Sequence, residues 1–313
     1  MSTNTIPHLS EQRLLDLGVT TRELIEALEH VIRSSEMNQV WAAPKAVISP
    51  PDGRYIMATL AAMSEPPLVA TKSLVLNARN SEIGLPQINS LVTLLHGETG
   101  VPLATIDGNW ITAVRTAGLS SVAAKYLANT GARSIGLIGS GVQARSHLQT
   151  FSEMFPLESV KVFGRGPKNI GALWETAQKL GLSTEVCKSP QEAVEGVDLV
   201  VSSVTHTGVT EPFLDANWLS NGCFAAIADL AVPWHKESFA AFNPLVIDDR
   251  AQEASLPNKL ADPGHIHGDL SDLIAGRIHG RRAEDERTAF VFRGHALGDL
   301  ALAALAYQKH VQA

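Results

Sequence analysis

The residues with the clearest chemical consequence form a glycine-rich turn, Gly139-Ser140-Gly141, which follows a short apolar run over residues 135–138. That run has the composition of a buried parallel strand, and the residues after the turn have helical spacing. The glycines allow a tight turn and a close approach of backbone to a pyrophosphate, and the helix N-terminus offers N–H groups to the phosphates. We therefore predict a dinucleotide site here. The residues expected to contact the cofactor are Gly139, Ser140, Gly141, Val142, Gln143 and Ala144.

The end of the next predicted strand indicates which dinucleotide is bound. A cofactor with a free 2′-hydroxyl usually meets an Asp or Glu about 20 residues past the glycines, whereas a 2′-phosphate usually meets an Arg. After the strand at residues 160–163 the chain continues with Gly164, Arg165 and Lys168, and it has no carboxylate there. The pattern favours NADP(H) over NAD(H), with Arg165 facing the phosphate. The alternative is a solvated turn with two surface cations.

From the turn onwards, strands and helices alternate, which predicts a Rossmann-type doubly wound parallel sheet in the α/β class. Later strands are expected at residues 199–204, 224–228 and 245–247. Thr205, His206 and Asp229 follow two of these strands, at the carboxyl edge where such sheets bind ligands. We expect Thr205 to contact the cofactor; simple loop packing is the alternative for Thr205 and His206.

The chain up to residue 118 follows a different pattern. Thr20 and Glu23 form a capping box before an amphipathic helix. The strand-like segments that follow are separated by short turns, which indicates a mostly antiparallel sheet. With 313 residues the chain is long enough for two domains. We place a second α+β domain at residues 1–118, to which residues 295–313 are expected to return, and the dinucleotide-binding domain at residues 119–294.

Composition excludes several classes of protein. The net charge is −7 and no Lys/Arg block is dense enough to follow a nucleic-acid backbone. No uncharged apolar run reaches membrane-spanning length, and the N-terminus lacks the basic and apolar regions of a signal peptide. Cys187 and Cys223 have no CxxC spacing, and His265-x-His267 lacks a third metal ligand of clear spacing. We expect a cytoplasmic protein without disulfide, metal, membrane or nucleic-acid partner.

The chain resembles the ornithine cyclodeaminase/mu-crystallin family over nearly its whole length. The similarity lies in the segments 99–104, 107–108 and 111–112, the Arg115-Thr-Ala step and the turn at residues 139–144. The Arg-Thr-Ala step joined at this spacing to a G-x-G-x-Q-A turn is specific. The resemblance implies a dinucleotide-binding domain plus a second domain, built from both chain ends, that forms a homodimer. It also implies NAD(P)-dependent chemistry on a small imino or amino acid.

Individual residues inherit roles from this resemblance. Lys72 matches the active-site lysine, Arg115 matches a carboxylate-binding arginine, and Lys45 stands where most members have a second such arginine. Arg165 matches the residue by which NADP-using members hold the 2′-phosphate. Asp229 lies near the catalytic aspartate of the cyclodeaminases, within a residue or so of register.

These residue types suit the chemistry. A guanidinium such as that of Arg115 binds a carboxylate bidentately, whereas Lys45 assists as a point charge. If burial and neighbouring cations lower its pKa, Lys72 is a candidate general acid; otherwise it could order a water. Structural alternatives are an exposed position for Lys45, and a helix cap or an ion pair with Asp107 for Arg115.

Three functions remain open from the sequence. The ornithine-specific branch carries a Glu before a Met-Pro step, where this chain has residues 58–61, Ala-Thr-Leu-Ala. A pocket without that Glu would desolvate a free ammonium tail at a high cost. We therefore favour an NADP(H)-dependent reductase of a small or cyclic α-imino acid, such as pyrroline-2-carboxylate. The alternatives are an ornithine cyclodeaminase with Asp229 as base, and a non-enzymatic, crystallin-like protein that keeps NADPH.

Overall fold

A computed structural model of the protein describes residues 5–205 and 211–313. These divide into two compact units. Unit 1 comprises the residues up to Arg115 together with His295–Ala313, and unit 2 comprises Thr116–Gly294. The division falls within a helix, between Arg115 and Thr116, rather than after residue 118.

Elements are numbered in chain order. The strands are β1 (His8–Leu9), β2 (Val40–Ala42), β3 (Ala46–Ile48), β4 (Tyr55–Met63), β5 (Leu68–Leu76), β6 (Ile88–His96), β7 (Pro102–Asp107), β8 (Ser134–Ile138), β9 (Ser159–Phe163), β10 (Ser183–Val186), β11 (Leu199–Ser202), β12 (Phe224–Ile227), β13 (Leu245–Ile247), β14 (Gly268–Asp269) and β15 (Thr288–Val291). The α-helices are α1 (Glu11–Asp16), α2 (Thr21–Glu36), α3 (Gly108–Leu127), α4 (Val142–Met154), α5 (Pro167–Lys179), α6 (Pro190–Val194), α7 (Arg250–Ser255), α8 (Leu270–Ile274) and α9 (Ala296–Gln312). Short 3-10 helices cover Ala78–Ile83, Ala216–Trp218, Lys236–Ala241 and Pro263–His265.

Unit 1 is built on the mostly antiparallel sheet that the sequence predicts. Its strand order is β1-β7-β6-β5-β4-β2, with β3 also paired to β4, and only β1 runs parallel to its neighbour. Helix α2 begins at the predicted capping box of Thr20 and Glu23. Helices α2 and α9 pack on each other, and α9 packs on β4 and β5. One face of the sheet is therefore covered by helices.

The other face of this sheet is apolar and open. In β4 and β5 buried residues alternate with more exposed ones, as expected for strands covered on one face. The strand register places five apolar side chains together on the uncovered face. Ile48, Ile56, Val75 and Leu91 among them line an open groove of about 470 Å³. We call this surface the outer face. Its apolar members are Ile48, Ile56, Leu60, Val75 and Leu91.

Unit 2 contains the parallel sheet predicted from the alternating pattern. The strand order is β10-β9-β8-β11-β12-β15-β13-β14, and every pair is parallel. β11, β12, β13 and β15 are buried along their whole length, as strands covered on both faces are. The strand order reverses at β8, which has β9 on one side and β11 on the other. Ligands bind at such a switch point in doubly wound sheets.

The two cysteines are buried thiols of unit 2, and neither forms a disulfide. Burial raises the pKa of both Cys187 and Cys223, so neither is a reactive thiolate at neutral pH. Within residues 5–205 and 211–313, no helix is both long and apolar enough to cross a membrane. Over the same ranges, no three His, Cys, Asp or Glu side chains are grouped as metal ligands.

Candidate functional site

Three charged side chains of unit 1 meet in its interior. Lys72 Nζ donates to Asp299 Oδ1 at 2.7 Å, and Arg115 Nε lies 3.0 Å from the same oxygen. The side chains of Lys72, Asp299 and Arg115 are 0%, 4% and 8% exposed. Thr59 Oγ1 donates to Asp299 Oδ2 at 3.0 Å, and Lys72 Nζ also donates to Thr112 Oγ1 at 3.3 Å. We call Lys72, Arg115 and Asp299 the buried charge cluster.

Each member of the cluster is placed by its element. Lys72 lies in the middle of β5, opposite Thr59 of β4 and Val92 of β6, so the pleat directs it to the helix-covered face. Asp299 lies in the first turn of α9, where the helix dipole favours a carboxylate. Arg115 lies on α3, one turn after Thr112. A strand and two helices that are distant in sequence therefore bring the cluster together.

The cluster carries more positive than negative charge. Burial and then the charge of Arg115 lower the pKa of Lys72 to about 8, and Asp299 opposes that effect only in part. Burial alone would raise the pKa of Asp299, but Lys72 and Arg115 outweigh it and hold that pKa below its ordinary value. Two cations against one anion leave one net positive charge, and Lys45 adds a further positive field at Lys72. Such a site suits an anionic ligand, since buried charge requires a partner.

The structure brings Lys72 and Arg115 together, and it does so through a residue that the sequence analysis did not select. Lys45 stands just before β3, is half-buried, and is near enough to lower the pKa of Lys72. Arg115 pairs with Asp299, and Asp107 Oδ1 accepts from the Trp110 backbone N–H at 2.9 Å. The sequence does contain a signal that could identify Asp299, because it is the one acidic residue in the otherwise apolar first half of α9.

The predicted dinucleotide turn has the backbone that this role requires. Gly139 has a φ of +94°, and a Cβ there would lie 2.9 Å from the carbonyl oxygen of Ser203. Gly141 is the N-cap of α4, makes no side-chain capping bond, and has open space where a Cβ would lie. Ala144 is fully buried, as close helix–strand packing demands. The start of α4 is therefore open to a phosphate group, and a dinucleotide fits these residues.

Three other side chains expected to contact or lie near the cofactor, Arg165, Lys168 and Thr205, lie at the surface of unit 2. Arg165 is exposed two residues before α5, Lys168 is exposed in the first turn of α5, and Thr205 is exposed after β11. His206 lies outside the described residues. Gly164 allows the end of β9 to approach the glycine turn, because a Cβ there would lie 2.8 Å from Ser140 Oγ. The two exposed cations thus follow directly after a strand end held against the turn.

Asp229 is buried at the end of β12, and both of its oxygens accept hydrogen bonds. Ser202 Oγ donates to Oδ1 at 3.1 Å, and the Val204 backbone N–H donates to Oδ2 at 3.1 Å. Trp234 Nε1 in turn donates to Ser202 Oγ at 2.9 Å. Burial raises the pKa of Asp229 to about 7. The next two residues have φ values of 59° and 57°, a strained backbone of the kind found at functional sites.

Comparisons with known proteins agree on one family. The model of the Ornithine cyclodeaminase/mu-crystallin family matches residues 11–313. The ketimine reductase mu-crystallin of Mus musculus is 32% identical over 244 residues, which cover 76% of this chain and 75% of the relative. A Delta(1)-pyrroline-2-carboxylate reductase of Bacillus cereus is 30% identical over 247 residues, 75% of each chain. The solved Delta(1)-pyrroline-2-carboxylate reductase of Thermococcus litoralis, in complex with NADH and L-proline, is 28% identical, covers 98% of both chains and superposes with a TM-score of 0.89.

Proposed function

The chain belongs to the ornithine cyclodeaminase/mu-crystallin family, and from that premise we propose that it is an NAD(P)H-dependent reductase of a small α-imino acid of the pyrroline-2-carboxylate type. The observation that carries this proposal is the buried charge cluster, with its net positive charge and a lysine whose pKa lies near neutrality. The relatives named ketimine reductase and pyrroline-2-carboxylate reductase support the same reaction class.

Arg115 and Lys45 are the residues that we assign to the substrate carboxylate. A guanidinium presents two parallel N–H groups to a carboxylate and thereby fixes the plane of the bound acid. Lys45 adds attraction without the same directionality. The excess positive charge of the cluster makes binding of one carboxylate favourable, because the acid completes the charge balance that Asp299 leaves open.

Lys72 is the residue that we assign to proton transfer. Reduction of the C=N bond breaks its π bond and forms one C–H and one N–H bond. The nicotinamide cofactor, when bound, supplies the hydride for the carbon. Lys72 holds at Nζ the proton that the nitrogen requires, and a pKa of about 8 keeps that proton both present and transferable near neutral pH.

The residues of β4 favour a substrate that has no distal ammonium group in addition to its carboxylate. Strand β4, whose Thr59 donates a hydrogen bond to Asp299, contains no acidic residue. A distal ammonium would therefore lose hydration without gaining a carboxylate partner from this strand. A cyclic imino acid avoids that cost because its nitrogen is part of the reacting bond.

An ornithine cyclodeaminase is the second candidate, and Asp229 is the observation that favours it. Its pKa of about 7 is that of a general base matched to neutral pH, and it follows a strand at the ligand-binding edge of the sheet. In this alternative Asp229 would act as base while ornithine is converted to proline and ammonia.

A turnover panel distinguishes these functions. We expect net loss of NADPH absorbance with pyrroline-2-carboxylate, and formation of proline in equal amount. Ammonia release from L-ornithine without net change in the cofactor would replace our proposal with the cyclodeaminase. Nucleotide binding without turnover of any imino or amino acid would leave the crystallin-like role.

We further propose that the enzyme prefers NADP(H), held at its 2′-phosphate by Arg165 with help from Lys168. The support is the absence of a carboxylate after β9 and the exposed position of both cations. The related enzyme from Thermococcus litoralis was solved with NADH, so the support for NADP(H) comes only from this chain's own residues.

Substitution of Arg165 tests this preference. Arg165→Ala is expected to raise the Kd of NADPH about 10- to 100-fold, since a hydrogen bond to a charged group contributes roughly 1.5–3 kcal/mol, and to leave the Kd of NADH nearly unchanged. Titration of nucleotide fluorescence measures both constants. Lys179→Ala, at the end of α5 that lies far from Arg165, is the matched control. Tighter binding of NADH than of NADPH by the unmodified enzyme, unaffected by Arg165→Ala, would contradict the assignment.

We also propose that the enzyme is a homodimer formed through the outer face. The family resemblance implies a dimer-forming second domain, and apolar side chains lie exposed together on the outer face, with Leu60 44% and Leu91 43% exposed. Leu60→Glu is expected to shift the sedimentation coefficient from that of a dimer to that of a monomer, because it places a charge in the apolar contact. Leu15→Glu, at an exposed leucine of α1, is expected to leave the dimer intact. Dimers of unchanged stability in Leu60→Glu would refute this interface.

A further inference from the structure

We propose that Asp299 is a positioning residue for the reaction, whose single oxygen Oδ1 both retains the proton on Lys72 and orients Arg115 toward the substrate acid. The inference rests on the proposed function and deepens it, since nothing in the sequence pattern assigned Asp299 a role. Asp299 acts through the two cations and needs no contact of its own with the substrate.

The two oxygens of the Asp299 carboxylate have different partners. Oδ1 accepts a hydrogen bond from Lys72 Nζ at 2.7 Å and lies 3.0 Å from Arg115 Nε. A single oxygen atom therefore holds the two cationic side chains next to each other. Oδ2 accepts a hydrogen bond from an uncharged donor, Thr59 Oγ1, at 3.0 Å. An ionised carboxylate has lone pairs for about four donors, so these contacts are all compatible with its charged form.

Within residues 5–205 and 211–313, Asp299 is the anion paired with the two cations. The elements packed on α9 are α2, β2, β4, β5 and β6. Among them β2 and β4 contain no Asp, Glu, Lys, Arg or His, β5 contains only Lys72, and β6 ends in His96, whose Nδ1 contacts Thr99 Oγ1. The other titratable groups of α2 and α9 are paired or exposed. Glu29 pairs with Arg33, Glu23 pairs with Lys309, and His310 contacts Arg13. His295 is the N-cap of α9, and the other exposed residues are Arg22, Glu26, His30 and Glu36.

Removal of this charge has a predictable direction. Asp299→Asn keeps the size of the side chain and an oxygen acceptor, but it leaves two buried cations without an anion. Asp299 opposes the fall in the pKa of Lys72, so its neutralisation lowers that pKa further. Lys72 would then lose its proton at a lower pH, and Arg115 would lose its ion pair with Asp299 Oδ1.

The first test is the pH profile of kcat/KM with pyrroline-2-carboxylate. In Asp299→Asn we expect the alkaline limb to move to a pH at least one unit lower, which reduces kcat/KM at about pH 8 by roughly tenfold for each pH unit. Thr59→Val is the matched control, because it removes the bond to Oδ2 and keeps the charge, and its limb should stay in place. A uniform loss at every pH, with the limb unmoved, would show a merely structural role and overturn the inference.

The second test reads the proton on Lys72 directly and needs no turnover. The 13Cε resonance of Lys72, in protein labelled at lysine and assigned with Lys72→Met, reports its titration midpoint. We expect the midpoint to fall in Asp299→Asn and to rise in Arg115→Met, because the two neighbours act on Lys72 with opposite sign. The Arg115→Met arm keeps the test decisive where Asp299→Asn fails to fold. Midpoints that do not move in these opposite directions would refute the role of Asp299, whereas lack of turnover by the unmodified enzyme would refute only the proposed function.

Discussion

Arg115→Lys is expected to lower kcat/KM for pyrroline-2-carboxylate by about 10³-fold, because lysine keeps the charge but cannot form the two parallel hydrogen bonds of a guanidinium, each worth roughly 1.5–3 kcal/mol. We expect KM to rise and kcat to fall together. The acid is held less tightly, and its C=N bond is no longer fixed in the reactive orientation. Steady-state kinetics over a wide substrate range measure both constants.

A substrate without the acid group provides the sharpest control for this result. Pyrroline lacking the carboxylate should react slowly with the unmodified enzyme and with Arg115→Lys at nearly the same rate, since neither can use the missing group. Arg33→Lys, at an exposed arginine of α2, controls for the substitution itself. If Arg115→Lys slows both substrates equally, Arg115 supports the fold of the site and does not bind the carboxylate.

Local pattern was sufficient for much of this fold. The capping box at Thr20 and the glycine turn at residues 139–141 are both decided by neighbouring residues, and the structure contains both. The order of the strands in the sheet, in contrast, depends on contacts between residues that are distant in sequence. β15 follows every other strand in the chain but lies between β12 and β13 in the sheet. Its four residues, after a charged stretch, give too short a periodic signal to predict a strand.

The candidate site shows the same division between local and distant information. Lys72 and Arg115 could be selected because a cation within an apolar strand, and an arginine in a specific step, are visible in short windows of sequence. Asp299 lies 227 residues from Lys72, and its importance arises only when α9 packs on β5. An acidic residue on an apolar helix face is a usable signal, but it becomes a prediction only when its partner is known.

Lys72→Met is expected to reduce kcat by about 10²- to 10⁴-fold, the usual contribution of a positioned general acid, while making the protein more stable at neutral pH. The pKa of Lys72 is about 8 in the folded protein and 10.5 for an ordinary lysine. The unfolded chain therefore binds more protons between these values, and the stability of the unmodified enzyme rises with pH across that window. Below about pH 8 burial of the charged lysine costs roughly 3 kcal/mol, because a tenfold change in proton affinity corresponds to about 1.4 kcal/mol.

Methionine fills similar volume without that charge, and Arg115 remains to pair with Asp299. The gain in unfolding free energy from Lys72→Met should therefore be largest near pH 7 and shrink by up to about 3 kcal/mol as the pH approaches 10. Urea unfolding of both proteins at these two pH values measures the difference, and titrations common to both cancel. Lys179→Met, at an exposed lysine of α5, should show no such trend. A pH-independent difference would mean that Lys72 does not change protonation in this range, and its assignment as proton donor would fail with it.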